Sequence, residues 1–309
     1  MGHPSLVQTL PAEVATARTA DLGGEVAWLD YGGPADGPLL VGVHGLGGAA
    51  WNWAAVAPLL TEHVRLVAID LVGHGLTRSG GRQTTVGANR RVLDRWLREI
   101  IDEPAVLVGN SMGGAISLLE GAIAPDLVRG LVLIDPALPR PAFGRIDPQV
   151  AMSFAVASIP WVGKAVATRR ARRAGVETQV RDTLKLCTVD VNRIPSWVVD
   201  VGVDYAQSRA EDPLSTSDFL AAARSVVRLL SRPGPLRRAG AAVDAAGIPV
   251  LLIHGDRDRL VSIDIATRYA RQHPAWQFEI AHEIGHIPML EAPDWTAKQI
   301  LTWLPITER

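Results

Sequence analysis

The stretch that decides the fold is PAVLVGNSMGGAISLLEGA, Pro104 to Ala122. A run of β-formers, Ala105–Val108, stops at Gly109. One serine, Ser111, follows, and from Met112 onward the apolar residues take helical spacing. A strand that turns straight into a helix needs glycine at Gly109 and Gly113, because a Cβ at either position would collide with the closing backbone. Such a turn aims the serine hydroxyl out at the carboxyl end of a sheet, beside the free N–H groups of the helix N-terminus. A serine that merely caps a helix is the plainer reading, but a cap does not require two flanking glycines.

A serine hydroxyl is a weak nucleophile until a base takes its proton and a third group orients that base. Two later stretches supply candidates in the order Ser, Asp, His. PVLLIHGDRDRLVS, Pro249–Ser262, is a strand with Asp256 and Asp258 in the loop beyond it. HEIGHIPMLEAP, His282–Pro293, follows the next strand and holds His286 in a Gly-His pair. If the sheet is parallel, all these loops lie at one edge.

Elsewhere the sequence predicts strands over Val26–Tyr31, Leu39–Val43, Val64–Asp70, Val128–Asp135 and Gln277–Ala281. Helices are predicted over Trp51–Leu60, Val86–Ile101, Met112–Ala124, Ile263–His273 and Trp295–Trp303. Strands built mostly of Val, Leu and Ile and alternating with helices define an α/β chain with a largely parallel sheet covered on both faces. The strands flanking the GGPADGP turn, Gly32–Pro38, are expected to form an antiparallel edge. Between Ala137 and Gly247 the alternation breaks into proline-punctuated helices carrying 16 Lys and Arg against 10 Asp and Glu, while the rest of the chain holds 15 against 22. An inserted helical segment of opposite charge reads as a cap laid over a sheet. Its one basic run, Arg169, Arg170, Arg172 and Arg173, is expected to be a solvated helix face.

The 309 residues suffice for a substantial core, and a net charge of −1 gives no reason to expect nucleic acid as a partner. The single cysteine, Cys187, excludes an internal disulfide or a cysteine zinc site and is expected to be a packed apolar residue. No run of 18 apolar residues predicts a membrane span, and the N-terminus lacks a signal-peptide pattern, so the expected location is the cytoplasm.

Five pieces in this order, VHGLGG (Val43–Gly48), DLVGHGLT (Asp70–Thr77), GNSMGG (Gly109–Gly114), HGDRD (His254–Asp258) and GHIPMLEAP (Gly285–Pro293), resemble an α/β-hydrolase over nearly the whole chain. The resemblance implies an α/β-hydrolase fold, a mostly parallel eight-stranded sheet with a helical cap inserted after strand 6. It divides the chain into a core over 1–136 and 248–309 and a cap over 137–247. It makes Ser111 the nucleophile, His286 the general base and Asp258 its orienter, with the N–H groups of Leu46 and Met112 as the oxyanion hole. Asp256 is then a loop former, and Asp135, at the end of the preceding strand, is the alternative acid. His44 and His74 shape loops, and Glu120 is expected to be solvated or capped. Met152, Phe154, Trp161, Trp197, Tyr205 and Phe219 are candidate apolar linings under the cap.

Two rival motifs are present. Gly45-x-Gly47-x-x-Ala50 with Asp70 sketches a dinucleotide fingerprint, but it leaves Ser111, Asp258 and His286 without a purpose. His282-Glu-Ile-Gly-His286 spells a zinc-protease pattern, whose two ligands require one helical face that Gly285 and Pro288 interrupt. The expected activity is cleavage of a small or medium carboxylic ester through an acyl-enzyme, with no metal or organic cofactor and with a small-molecule substrate that carries an apolar acyl or alcohol part as the expected partner. A hydrolase of carbon–carbon bonds in ring-cleavage products, or a small-molecule receptor of the same fold, is the alternative. GNSMGG favours the former, whereas Ile287, in place of the tryptophan common after the Gly-His pair of those hydrolases, counts against it.

Overall fold

The computed structural model describes residues 13–139 and 175–304. Its strands are β1 (Thr16–Asp21), β2 (Glu25–Gly32), β3 (Leu39–Val43), β4 (Arg65–Ile69), β5 (Ala105–Asn110), β6 (Val128–Ile134), β7 (Val250–Gly255) and β8 (Gln277–Ala281). They form one sheet in the order β1-β2-β4-β3-β5-β6-β7-β8, in which β3 to β8 are mutually parallel. The antiparallel edge exists, but it is built from β1 and β2, and β2 pairs with β4 rather than β3. The GGPADGP turn therefore carries the chain past an intervening strand. A parallel partner was available for β3 on both of its sides, from Leu39↔Arg65 to Val43↔Gly109, and that leaves no edge for β2.

The central strands alternate between two cores. Val41, Leu107, Leu131, Leu133 and Leu252 point to one face, and Leu40, Val106, Val108, Val132 and Leu251 to the other. Both faces are covered, so the period of two vanishes from the sequence and the strands read as continuous apolar runs. Helices α1 (Ala57–Leu60) and α9 (Pro293–Trp303) cover the second face, with Leu60, Ile300 and Trp303 buried. Helices α2 (Val86–Trp96), α3 (Met112–Ile123), α7 (Gly234–Ala245) and α8 (Ile263–Gln272) cover the first. Each fully buried Leu or Val contributes about 1.5–3 kcal/mol relative to exposure.

Glu120 on α3 is fully buried, not solvated: Arg90 of α2 reaches it at 2.7 Å. Burial pushes its carboxyl up to about 7 against the opposing Arg90 charge. An ion pair of this kind roughly offsets its own desolvation and joins α2 to α3. The segment predicted as a helix over 51–60 is a 3-10 turn, Ala50–Trp53, followed by the single turn of α1.

Between β6 and β7 the described residues add α4 (Val176–Cys187), α5 (Ser196–Ala210) and α6 (Ser215–Leu230) before α7. This helical insertion after the sixth strand meets the loops at the carboxyl edge of the sheet. Arg209 donates to the Gly73 carbonyl at 2.9 Å, Thr84 donates to the Asp218 carbonyl at 2.9 Å, and Ser225 accepts the Val86 N–H at 3.0 Å. A Cβ on Gly202 would lie 2.8 Å from the Trp51 ring, so α5 approaches that indole as closely as its backbone allows. Among the described residues, no helix is long and apolar enough to cross a membrane. Met152, Phe154, Trp161 and the Arg169–Arg173 cluster lie outside the described residues.

Candidate active site

Ser111 stands between β5 and α3 with φ 52° and ψ −116°, a conformation few non-glycine residues adopt. The surrounding backbone holds it there. The Ser111 N–H donates to the Ile134 carbonyl at 3.0 Å, and the Ser111 carbonyl accepts from Ala137 at 2.9 Å. The glycine requirement is met as expected: a Cβ at Gly109 would sit 2.6 Å from the Gly113 oxygen, and one at Gly113 would sit 2.0 Å from the Val43 oxygen. The second figure explains how β3 and the first turn of α3 come so close.

Asp258, in the loop after β7, accepts a 2.6 Å hydrogen bond from His286 Nδ1, with both side chains buried. That fixes the ring and leaves Nε2 as the nitrogen the carboxylate does not engage. The other oxygen of Asp258 accepts the N–H groups of Leu260 at 2.7 Å and Val261 at 3.0 Å. Burial opposes ionisation of Asp258, yet the His286 imidazole and these donors bring its carboxyl below the ordinary range. The backbone of His286 is pinned twice. Its N–H donates to the Cys187 carbonyl at 2.6 Å, and its carbonyl accepts from Asn110 Nδ2 at 3.0 Å. Asn110 thus ties the residue before Ser111 to the histidine loop, a role the sequence did not announce.

The remaining acids separate by geometry. Asp256 accepts from His282 at 3.0 Å and from the Glu283 N–H at 2.8 Å, so it shapes its own loop. Asp135 is fully buried and is brought into the same cluster: its carboxylate, that of Asp258 and a His286 nitrogen lie within 4.8 Å of one another. His254, also fully buried, donates from Nε2 to the Val261 carbonyl at 2.8 Å, and burial holds its pKa below the usual imidazole value.

On the other side of Ser111, the Gly45–Gly48 turn closes with a 3.1 Å hydrogen bond and φ 75° at Gly47, the geometry of a type II turn with Leu46 in its second position. A Cβ on Gly45 would lie 3.1 Å from Ser111 Cβ, so this turn rests directly on the serine. His44 anchors it, donating from Nδ1 to the Gly45 carbonyl at 2.7 Å and accepting the Leu71 N–H at Nε2 at 3.0 Å. Burial pushes that imidazole down to about 3, so it stays neutral and structural. Met112 opens α3, where a first-turn N–H has no intrahelical partner.

Neither rival motif keeps its meaning. Asp70 is buried and accepts the Ala50 N–H at 2.6 Å and the Leu76 N–H at 2.8 Å, so it braces loops instead of facing a ribose. His282 and His286 share no helix: the former points to solvent beside Asp256, and the latter is buried against Asp258.

Glu291 is the group the sequence reading missed. It is 3% exposed and accepts three N–H groups, Val189 at 2.8 Å, Asp190 at 2.9 Å and Gly285 at 2.8 Å, with Arg193 at 3.6 Å. The available signal was a carboxylate inside the otherwise apolar turn PMLE between two prolines. Glu291→Gln replaces one acceptor with a donor facing an N–H and is expected to lower unfolding free energy by about 2 kcal/mol or more in urea titrations. A loss of under about 0.5 kcal/mol would mean these bonds carry little. Of the candidate linings, Tyr205 is buried, Trp197 is half-buried, and Phe219 is 41% exposed with its ring against Gly47.

The profile of the alpha/beta hydrolase family matches residues 40–299. The chain belongs to the alpha/beta hydrolase family. It is 26% identical to the 2-hydroxy-6-oxo-6-(2'-aminophenyl)hexa-2,4-dienoic acid hydrolase of Metapseudomonas resinovorans over 294 residues, covering 93% of this chain and 90% of that one. It is 24% identical to the human monoacylglycerol lipase ABHD6, over 88% of this chain and 77% of that one. The fold is shared with the haloalkane dehalogenase DbeA of Bradyrhizobium elkani, with a TM-score of 0.79 at 21% identity over 95% and 99% of the two chains.

Proposed function

We propose that this chain is a serine hydrolase that cleaves a small or medium carboxylic ester through an acyl-enzyme on Ser111. The observation that supports it most is the 2.6 Å bond from His286 Nδ1 to Asp258 in a loop that Asn110 fastens to the serine turn. In this reading Ser111 Oγ attacks the ester carbonyl carbon and its proton passes to His286 Nε2. The Leu46 and Met112 N–H groups receive the oxyanion, and loss of one such donor costs on the order of 10² to 10³ in turnover. The imidazolium, stabilised by Asp258, protonates the departing alcohol, and water attacking the acyl-enzyme restores Ser111. The segment 137–247 acts as the cap and roofs the site, with Phe219 among its apolar contacts.

A second reading is favoured by one observation. The relative from Metapseudomonas resinovorans, matched over 93% of this chain, acts on a hydroxy-oxo-dienoic acid, so a carbon–carbon bond beside a ketone is the alternative substrate. A p-nitrophenyl ester series from acetate to laurate, with a serine-directed phosphonate and mass mapping, separates the two. Ester turnover falling with acyl length and phosphonate on Ser111 are expected. Phosphonate on Ser111 without ester turnover points to the second reading, or to a receptor. Ester turnover with no label on Ser111 removes the mechanism.

A further inference from the structure

One atom of the buried acid cluster has no hydrogen-bond donor. Asp135 Oδ1 accepts the Gly255 N–H at 2.9 Å, but Oδ2, sealed from solvent, meets no donor. Its neighbours explain why a second charge is unwelcome there. Asp258 and His286 share its cluster, the Glu291 charge acts on it from further off, the Cys187 thiol is close enough to feel both carboxylates, and His254 Nε2, 3.5 Å from Asp135 Oδ1, is already bonded to Val261. None of these offers a fixed positive charge. The groups able to accept at this spot are carboxylate oxygens, and two carboxylates in contact favour sharing one proton.

We propose that Asp135 is a positioning residue that retains its proton and donates it to Asp258, so that the acid behind His286 is a carboxylic acid–carboxylate pair carrying one charge. The pair rests on the reading of Asp258 and His286 as orienter and base. The O–H of Asp135 satisfies the orphaned oxygen and holds the Asp258 carboxylate in the plane that His286 Nδ1 requires. Burial and the Asp258 charge both keep the Asp135 carboxyl well above its ordinary range. The proton stays on Asp135 through the cycle, while the mobile proton moves between Ser111, His286 Nε2 and the leaving group. Asp135 sits at φ 45°, at the carboxyl end of β6, and its N–H donates to Ile253 at 2.9 Å. Its place is therefore set by the sheet rather than by the loop it serves.

The test compares wild type, Asp135→Asn and Asp135→Leu. Infrared difference spectra at neutral pH are expected to show a buried protonated carboxyl in wild type that Asp135→Asn removes; burial also lifts Asp70 and Glu120 to about 7, so the difference between chains is the signal. The His286 imidazole, followed by NMR, is expected to titrate within about 0.3 units of wild type in Asp135→Asn, because no charge is removed. Were Asp135 ionised, Asp135→Asn would remove a negative charge beside the ring and lower that titration by about one unit or more, and that result overturns the proposal. Absence of the carboxyl band does the same. With a turned-over ester, kcat is expected to fall about tenfold in Asp135→Leu at unchanged KM and largely to recover in Asp135→Asn, which keeps a donor. The two spectroscopic readouts need no substrate, so they decide the pair even if the ester reading fails.

Discussion

Ser111→Ala is expected to reduce kcat for a p-nitrophenyl ester by about 10⁴-fold or more while leaving KM within a few-fold. Two described neighbours are poor substitutes in the proposed mechanism: Asn110 is committed to the Ile134 and His286 carbonyls, and the Cys187 thiol is pushed up to about 12 by burial. What survives is the contribution of the oxyanion donors and of substrate positioning. The substitution removes one oxygen at a position whose φ of 52° is unfavourable for serine and alanine alike, so the folded state is expected to persist. A thermal melt within a few degrees of wild type checks this, and full hydrolysis by a folded Ser111→Ala would end the nucleophile assignment.

Asp258→Asn should rank second, lowering kcat/KM by about 10³ to 10⁴ at neutral pH. The amide can still fill the space, but it cannot stabilise an imidazolium, and turning its NH₂ toward His286 Nδ1 selects the wrong tautomer. The Leu260 and Val261 N–H groups, at 2.7 and 3.0 Å, keep the loop in place, so the loss falls on chemistry more than on stability. Measured under the same conditions, Asp135→Asn should lose far less. If Asp135→Asn proves the more damaging change, the roles of the two acids must be exchanged.

Much of this architecture was legible because its requirements are local. Gly109 and Gly113 flank a serine only where a strand must become a helix at once, and apolar runs bounded by Gly45, Gly109 and Gly255 mark strand ends on one sheet edge. Loop position then offers Asp256, Asp258 and His286 at that edge, and the choice of Asp258 over Asp256 rests on the resemblance to the family. What stayed hidden depends on neighbours distant in sequence. Strand β1, TARTAD, has no buried residue and owes its existence to pairing with β2. The exchange that places β4 between β2 and β3 leaves no mark in either segment. Glu120 reads as a surface residue until Arg90, 30 positions away, is seen beside it. Glu291 likewise gains its meaning from Val189, Asp190 and Gly285, groups that are only backbone and so invisible in a sequence.

The carbonyl that holds the His286 N–H belongs to Cys187, the last residue of α4, and Glu291 clamps the two residues that follow Thr188 to the histidine loop. The inserted segment is therefore not interchangeable with the corresponding segment of a relative. A chimera spliced anywhere upstream of Arg193 would exchange the backbone support of the His286 loop along with the proposed cap. Grafts meant to alter substrate preference alone should keep 187–193 and begin their foreign sequence at α5, where contact with the core runs through Trp51 and Gly73.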